Sequence, residues 1–169
     1  MKTAVKPARL KLVYRSLIFK VAAVIVVLDQ ITKSLAVEFL ENKPAIEILG
    51  KWFGFSFGRN PGAAFSIGTE TTIVFTIFAI VVSSLIVWKS GEVANKLWAL
   101  TAGGFLGGAL GNLVDRIFRS PETFHGHVVD FIAFPNFPLF NIADSAVTLS
   151  AIAAVLLSLR GIEYAQDKK

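Results

Sequence analysis

Eight polar residues near the ends of apolar segments are the best candidates for chemistry in this chain. Grouped carboxylates can exchange protons with a reacting bond or form a proton relay through a membrane. They can also serve only in ion pairs. Three classes of protein therefore remain open at this point: a hydrolase, a proton-coupled transporter and a non-catalytic assembly factor. The cluster consists of Asp29, Asn60, Asn112, Asp115, Arg116, Asp130, Asn141 and Asp144.

Three of the four carboxylates in this cluster also have a structural explanation. Asp29 and Lys33 have the i, i+4 spacing of an ion pair on one helix face. Asn141 and Asp144 have the spacing of a helix N-cap and a carboxylate in the first turn, where the helix dipole favours negative charge. Asp115 precedes an arginine at a predicted helix end, which suggests a salt bridge there. Spacing alone thus does not separate structural from catalytic carboxylates.

Long apolar segments must position these residues. The chain has 169 residues and is 54% hydrophobic, above the roughly 45 to 50% that is usual for soluble domains. Two segments without charge, and two that charged residues interrupt, approach the roughly 20 residues that a helix needs to span a bilayer. We predict an all-α membrane protein with one domain over residues 1 to 169. Its four transmembrane helices should lie at about 17–37, 71–88, 97–114 and 142–159.

Charge sets the expected orientation. Four spans place both termini on one side, and that side carries 11 of the 17 Lys and Arg residues but only 3 of the 12 Asp and Glu residues. Cytoplasmic loops of membrane proteins are enriched in basic residues, so we expect both termini in the cytoplasm. A basic rim facing anionic lipid explains the net charge of +5 without nucleic acid as a partner.

Two outward connections, residues 41–68 and 117–140, carry most of the remaining information. In the first, apolar residues alternate on both sides of Gly50 and Lys51, which predicts a small extracytoplasmic β-hairpin. The second is rich in Phe and contains Pro135 and Pro138, so it cannot be helical throughout. We expect both connections to lie at the membrane interface.

Glycines in the third predicted span favour close packing. Gly103, Gly107 and Gly111 recur every four residues, as do Gly104 and Gly108. Such spacing lets neighbouring helix backbones approach closely in a membrane. These residues should hold the scaffold rather than take part in chemistry.

Thiol and metal chemistry have little support. The chain contains no cysteine, which excludes a disulfide framework and a thiol nucleophile. His125 and His127 alternate on an extended segment and could form a zinc site with Asp130 or Asp144. An HxH pair without an HExxH helix is weak support for a metalloprotease, so we predict no metal.

Five sequence blocks, in order, resemble the prolipoprotein signal peptidase family, signal peptidase II. Together they span about residues 28 to 147, which is nearly the whole chain apart from its basic tails. Five blocks in the correct order are far more specific than any one of them. The blocks are VLDQITK, GRNPGAAFS, GGALGNLVDR, GHVVDF and FNIADSAV.

This resemblance implies a four-helix aspartic protease of the bacterial cytoplasmic (inner) membrane. Such enzymes cut the signal peptide from a prolipoprotein just before its diacylglyceryl-modified cysteine, at the extracytoplasmic face. By the resemblance, the catalytic pair is Asp130 and Asp144, and Asp115 is a structural polar residue that stabilises a loop or Arg116. It implies no cofactor; we expect the chain to act as a monomer on prolipoprotein substrates and to contact membrane lipid. The supporting residues around the substrate are Asp29, Asn60, Asn112, Arg116 and Asn141.

The implied chemistry agrees with the residue types. Two nearby carboxylates do not easily ionise together, so they would share one proton. The ionised partner would take a proton from water while the protonated partner polarises the scissile carbonyl. We expect Asp144 to be the more readily ionised partner, because it lies in the first turn of the fourth span.

Overall fold

The chain forms four long helices and a small antiparallel sheet. The computed structural model describes residues 7 to 62 and 71 to 165. A 3-10 turn, Ser90–Glu92, connects the second and third helices. The predicted fold class, an all-α membrane protein with a small sheet, is confirmed. The helices are α1 Pro7–Leu40, α2 Thr71–Lys89, α3 Lys96–Phe118 and α4 Ile142–Leu159.

Three of the four helices are long and apolar enough to be membrane spans. Segments Thr72–Glu92, Lys96–Phe118 and Ile142–Leu159 are each long and apolar enough to cross a bilayer. Helix α1 has 34 residues, also enough to cross. Its apolar sequence is interrupted by Asp29 and Lys33, but both side chains are fully buried within the protein. Burial against other helices thus explains how α1 carries charge in the membrane.

Helix α3 is the centre of the helical bundle and packs against the other three helices. Its glycines form two faces. A Cβ atom on Gly103 or Gly107 would meet α1, whereas one on Gly108 would lie 2.5 Å from the carbonyl oxygen of Ala143 in α4. The predicted scaffold role of these glycines is confirmed by this close packing.

Replacing Gly108 by alanine is expected to destabilise the protein by about 1 to 3 kcal/mol, because the added methyl group overpacks the contact between α3 and α4. The same shift would displace the first turn of α4. Thermal unfolding in detergent would measure the loss of stability. Gly91→Ala is the matched control, since no atom lies within 4 Å of a Cβ added at that position. Equal unfolding temperatures for the two variants would contradict the packing role.

The sheet lies at the end of the bundle where α1 and α3 end and α2 and α4 begin. Its strands are β1 Ile46–Glu47, β2 Gly54–Asn60 and β3 Val128–Ala133, in the order β1-β2-β3. The predicted hairpin is formed by β1 and β2, and its tip exposes Leu49 and Trp52. The second connection contributes β3, which pairs with β2 through Gly58 opposite Asp130 and Asn60 opposite Val128.

A short return loop brings β3 next to α4. The backbone N–H groups of Phe131 and Ile132 donate to the carbonyl oxygen of Phe140, at 3.0 and 2.8 Å. The chain therefore returns to β3 immediately before Asn141, the N-cap of α4. Asp130 on the strand and Asp144 in the first helical turn are thus brought to the same place.

Candidate active site

Asn141 connects the two carboxylates at the start of α4. Its side-chain oxygen accepts a hydrogen bond from the backbone N–H of Asp144 at 2.9 Å, and the Asp144 carboxylate accepts from the backbone N–H of Asn141 at 3.2 Å. This reciprocal capping box confirms the predicted N-cap spacing. The Asn141 amide nitrogen donates to Oδ1 of Asp130 at 2.6 Å. One asparagine therefore caps the helix and contacts both acids.

Two further asparagines donate to the pair. The amide nitrogen of Asn60 lies 2.9 Å from Oδ2 of Asp130, while its own oxygen accepts from the backbone N–H of Gly62 at 2.8 Å. The amide nitrogen of Asn112 lies 2.7 Å from Oδ1 of Asp144. Each carboxylate thus accepts two hydrogen bonds from neutral N–H groups.

A buried ionic network lies next to this group of asparagines and aspartates. Lys33 is within 2.8 Å of Asp29 and 3.0 Å of Asp115, and all three side chains are fully buried. Arg119 also pairs with Asp115, at 2.8 Å. Asp29 accepts from the backbone N–H of Ala143 at 2.9 Å, so the network holds the N-terminus of α4. The ion pair predicted for Asp29 and Lys33 is present.

The four aspartates fall into two classes by their partners. Asp29 and Asp115 are neutralised by Lys33 and Arg119 at 2.8 to 3.0 Å. For Asp130 and Asp144, no cation in the described part of the chain lies within salt-bridge distance. A carboxylate that contacts only neutral amides can change its protonation state without leaving a buried cation unpaired.

Burial is the main influence on the pKa of Asp130. Its side chain is only 2% exposed. Loss of hydration, together with the neighbouring charge of Asp144, raises the pKa of Asp130 to about 6, against the lowering effects of the Asn60 and Asn141 hydrogen bonds and of Lys33. Asp130 therefore retains a proton to a much higher pH than an ordinary aspartate does.

Arg116 lies beside the pair, and no carboxylate of the described residues is within salt-bridge distance of it. Its Nη1 donates to the backbone oxygen of Asn112 at 3.3 Å, and its Nε is buried with no hydrogen-bond partner in the described residues. The guanidinium carbon lies 5.9 Å from the ring centroid of Phe75. Arg116 and Asp144 line the same cavity.

Two mainly apolar cavities meet at Asp144. One has a volume of about 460 Å³, lies between α2, α3 and α4, and includes Asn112 and Arg116. The other, of about 530 Å³, lies between α4 and the return loop from Phe137 to Phe140. The upper part of the site can therefore hold an extended apolar ligand on both sides of this carboxylate.

Comparison with known proteins shows which family has this architecture. A family model described as signal peptidase (SPase) II matches residues 21 to 160. The chain belongs to the signal peptidase II family. The lipoprotein signal peptidase of Streptomyces griseus is 47% identical over 146 residues, which cover 86% of this chain and 74% of that protein. That of Mycobacterium leprae is 43% identical over 158 residues, covering 94% and 76% respectively.

Two solved structures share this fold. Two structures described as a bacterial membrane enzyme, both determined by the in meso method, match with TM-scores of 0.75. Their sequences are 28% and 29% identical to this chain; the matches cover 90% and 85% of it, and 93% and 92% of the solved chains. The chain is therefore a membrane-embedded protease of the signal peptidase II family.

Most of the residues that the family resemblance implied lie together. Asn60, Asn112, Asn141, Asp130 and Asp144 form one hydrogen-bonded group, and Arg116 lines the adjoining cavity. Asp29 lies beneath them with no exposed surface, where it holds α4.

Asp115, expected to stabilise a loop or Arg116, contacts the second outward connection at β3. Its Oδ2 accepts from the backbone N–H of Val129 at 3.0 Å, and its salt bridges go to Lys33 and Arg119 instead of Arg116. Asp115 thereby supports the strand that carries Asp130. In the GRNPGAAFS block, residues 63 to 66 lie outside the described residues.

Sequence reasoning missed part of the ionic network. Gln30 donates to Asp115 Oδ1 and to the carbonyl oxygen of Gly111, both at 3.0 Å, and Arg119 pairs with Asp115 at 2.8 Å. A charged Lys33 within a predicted span was the one available signal. Within residues 7 to 62 and 71 to 165, no three His, Asp or Glu side chains are placed to hold a metal ion.

Proposed function

We propose that this signal peptidase II family member is an aspartic endopeptidase that removes the signal peptide from diacylglyceryl-modified prolipoproteins. It would cut immediately before the lipidated cysteine, with Asp130 and Asp144 as the catalytic pair. The division of the four aspartates supports this assignment most strongly. Lys33 and Arg119 neutralise two of them, whereas among the described residues this pair contacts only amide donors.

The raised pKa of Asp130 suggests the role of each carboxylate. Asp130 holds the proton and acts as the acid, and Asp144 acts as the base. Asp144 takes a proton from water as the water oxygen attacks the scissile carbonyl carbon, and Asp130 donates its proton to the carbonyl oxygen. The tetrahedral intermediate then collapses: the C–N bond breaks and the amine leaves with a proton from Asp144. Asp130 recovers its proton from the intermediate's hydroxyl group as the carboxyl group forms, and no enzyme-bound acyl intermediate arises.

The position of the site suits a substrate that remains anchored in lipid. The pair lies at the end of the bundle opposite to Pro7 and to the C-terminal end of α4, the end that the basic residues place outside the cytoplasm. We therefore propose a bacterial cytoplasmic membrane enzyme, active as a monomer, with cytoplasmic termini and an extracytoplasmic active site. Its two apolar cavities provide walls for the signal peptide and the lipid chains on either side of the cleaved bond.

Cleavage in liposomes tests this function. The purified chain is expected to cut a diacylglyceryl-modified precursor and release a new N-terminal lipidated cysteine, identified by mass spectrometry. The same precursor without the diacylglyceryl group should be cleaved much more slowly, because it lacks the lipid chains that we propose to lie in the two apolar cavities. Equal cleavage of both precursors, or cleavage at another bond, would contradict the proposed specificity.

Arg116 is expected to bind a carbonyl oxygen of the substrate, because its buried Nε has no other acceptor in the described residues. Arg116→Met should lower kcat/KM by about 10- to 100-fold, the range expected when one charge-assisted hydrogen bond is lost. Arg116→Lys keeps the charge but not the planar donor group, so its kcat/KM should lie between the values for Arg116→Met and the wild type. Steady-state kinetics with the lipid-modified precursor measures both. An unchanged kcat/KM for the methionine variant would refute this role.

A further inference from the structure

We propose that Lys33 is a positioning residue for catalysis, because it fixes the orientation of the Asn112 side-chain amide that donates to Asp144. This inference rests on the proposed protease function, in which Asp144 is the carboxylate that accepts a proton from water. Lys33 contacts neither acid of the pair directly. It acts through Asn112, which contacts Lys33 on one side and Asp144 on the other.

The contacts of Lys33 use every hydrogen that its ammonium group carries. The side chain is fully buried, and Nζ lies 2.8 Å from Oδ2 of Asp29, 3.0 Å from Oδ2 of Asp115 and 2.8 Å from Oδ1 of Asn112. An ammonium group has three N–H donors and no acceptor. Lys33 therefore requires the oxygen of the Asn112 amide, and not its nitrogen, to face it.

This constraint determines what Asn112 presents to Asp144. An amide has an acceptor end and a donor end, so with Oδ1 directed at Lys33 the nitrogen is directed at Oδ1 of Asp144, at 2.7 Å. The Asn141 amide nitrogen also approaches Oδ1 of Asn112, at 3.2 Å, which favours the same orientation. Oδ1 of Asp144 is thus held as an acceptor, in keeping with an ionised carboxylate.

Reversing the amide would replace attractive contacts by repulsive ones. The Asn112 nitrogen would face the ammonium group of Lys33 and the amide nitrogen of Asn141, and its oxygen would face the carboxylate of Asp144. Without Lys33, the main contact that opposes this reversal is lost. A fraction of the enzyme would then present an oxygen to Asp144, which favours the protonated carboxyl group over the carboxylate.

A role in charge neutralisation alone is the simpler alternative. It requires only that a cation lie near Asp29 and Asp115, and it makes no demand on Asn112. The two roles are separable, because orientation acts through a single side chain. If Lys33 acts through Asn112, removing Asn112 must also remove most of the effect of Lys33 on kcat.

A double-mutant cycle of Lys33 and Asn112 in the Asp29→Asn background tests the proposal. Asp29→Asn serves as the reference; relative to the wild type, Asp29→Asn with Lys33→Met removes one charge of each sign and leaves the Asp115–Arg119 pair intact. Both are prepared with and without Asn112→Ala. The readouts are kcat and KM for the lipid-modified precursor and the unfolding temperature in detergent.

Lys33→Met is expected to lower kcat by about 10- to 100-fold in the presence of Asn112, the range for one lost hydrogen bond to a charged group, with little change in KM. In the Asn112→Ala background, the further loss should be less than about threefold. Full additivity of the two substitutions would overturn the proposal. If Asn112→Ala and Asp144→Asn both leave cleavage unchanged, the proposed protease mechanism itself fails.

A second variant covers the case in which the Lys33→Met protein does not fold. Asn112→Asp keeps an oxygen for Lys33 but places another oxygen where the amide nitrogen faced Asp144, as in a reversed amide. It is expected to lower kcat at least as much as Asn112→Ala. A variant that folds and retains the wild-type kcat would show that the donor orientation is not needed, and the proposal would fall.

Discussion

Replacing Asp144 or Asp130 by asparagine is expected to lower kcat by at least about 10³-fold, since each substitution removes one of the two proton-transfer groups. Asparagine has nearly the same shape as aspartate and can still accept hydrogen bonds from Asn112 or Asn141. The loss should therefore appear in the chemical step and not in folding. Cleavage of the lipid-modified precursor under single-turnover conditions measures it.

Glu38→Gln is the matched control for this prediction. Glu38 is an exposed carboxylate on α1, away from the pair, and its loss should leave kcat unchanged. Unfolding temperatures of all three variants should show that the chains are folded. A folded Asp144→Asn or Asp130→Asn protein that cleaves at the wild-type rate would refute the assignment of the pair.

The pH dependence of cleavage should reflect the proton on Asp130. Its pKa is raised to about 6, mainly by burial. If this group must be protonated in the free enzyme, kcat/KM should be highest below that value and fall by about tenfold for each pH unit above it. The Asn60 hydrogen bond stabilises the charged form, so Asn60→Leu should move this alkaline limb to higher pH.

A series of kcat/KM measurements from pH 5 to pH 9 tests this dependence, with the unfolding temperature recorded at each pH. A shift of the alkaline limb to lower pH in Asn60→Leu would contradict the role of Asp130 as the acid that must keep its proton. A flat profile across the series would show that the protonation of Asp130 does not limit cleavage.

The helices could be predicted from sequence because their signal is local. An uncharged segment of 18 residues such as 71–88 or 97–114 is long enough to nearly span a bilayer, whatever surrounds it. Helix α1 is the weaker case, since Asp29 and Lys33 interrupt it. They pair with each other, as their spacing predicts, but Lys33 also pairs with Asp115 from α3, a contact between helices that spacing along one segment does not reveal.

The choice of the catalytic pair could not be derived from residue types alone. The cluster contains four aspartates, and three of them, Asp29, Asp115 and Asp144, have a plausible structural role from spacing alone. What distinguishes them is the partner that the fold supplies: Lys33 for Asp29 and Asp115, and amide nitrogens for Asp130 and Asp144. The family resemblance led to the proposed pair because it carries information about tertiary contacts that one sequence does not display.

The third strand was also beyond local prediction. Residues Val128–Ala133 form β3 because β2, more than 65 residues earlier in the chain, offers its edge with Gly58 opposite Asp130. Sequence predicted only that the second connection was apolar and not helical throughout. Yet this pairing, and the return of the chain at Phe140, are what place Asp130 beside Asn141.

A structure of the chain with a non-cleavable diacylglyceryl lipopeptide bound would test the catalytic pair most directly. The expected result is a scissile carbonyl between the carboxyl groups of Asp130 and Asp144, with its oxygen within hydrogen-bond distance of Asp130 and a water molecule held by Asp144. A lipopeptide bound with its scissile bond out of reach of both carboxyl groups, or next to Asp29 and Asp115 instead, would contradict the proposed mechanism.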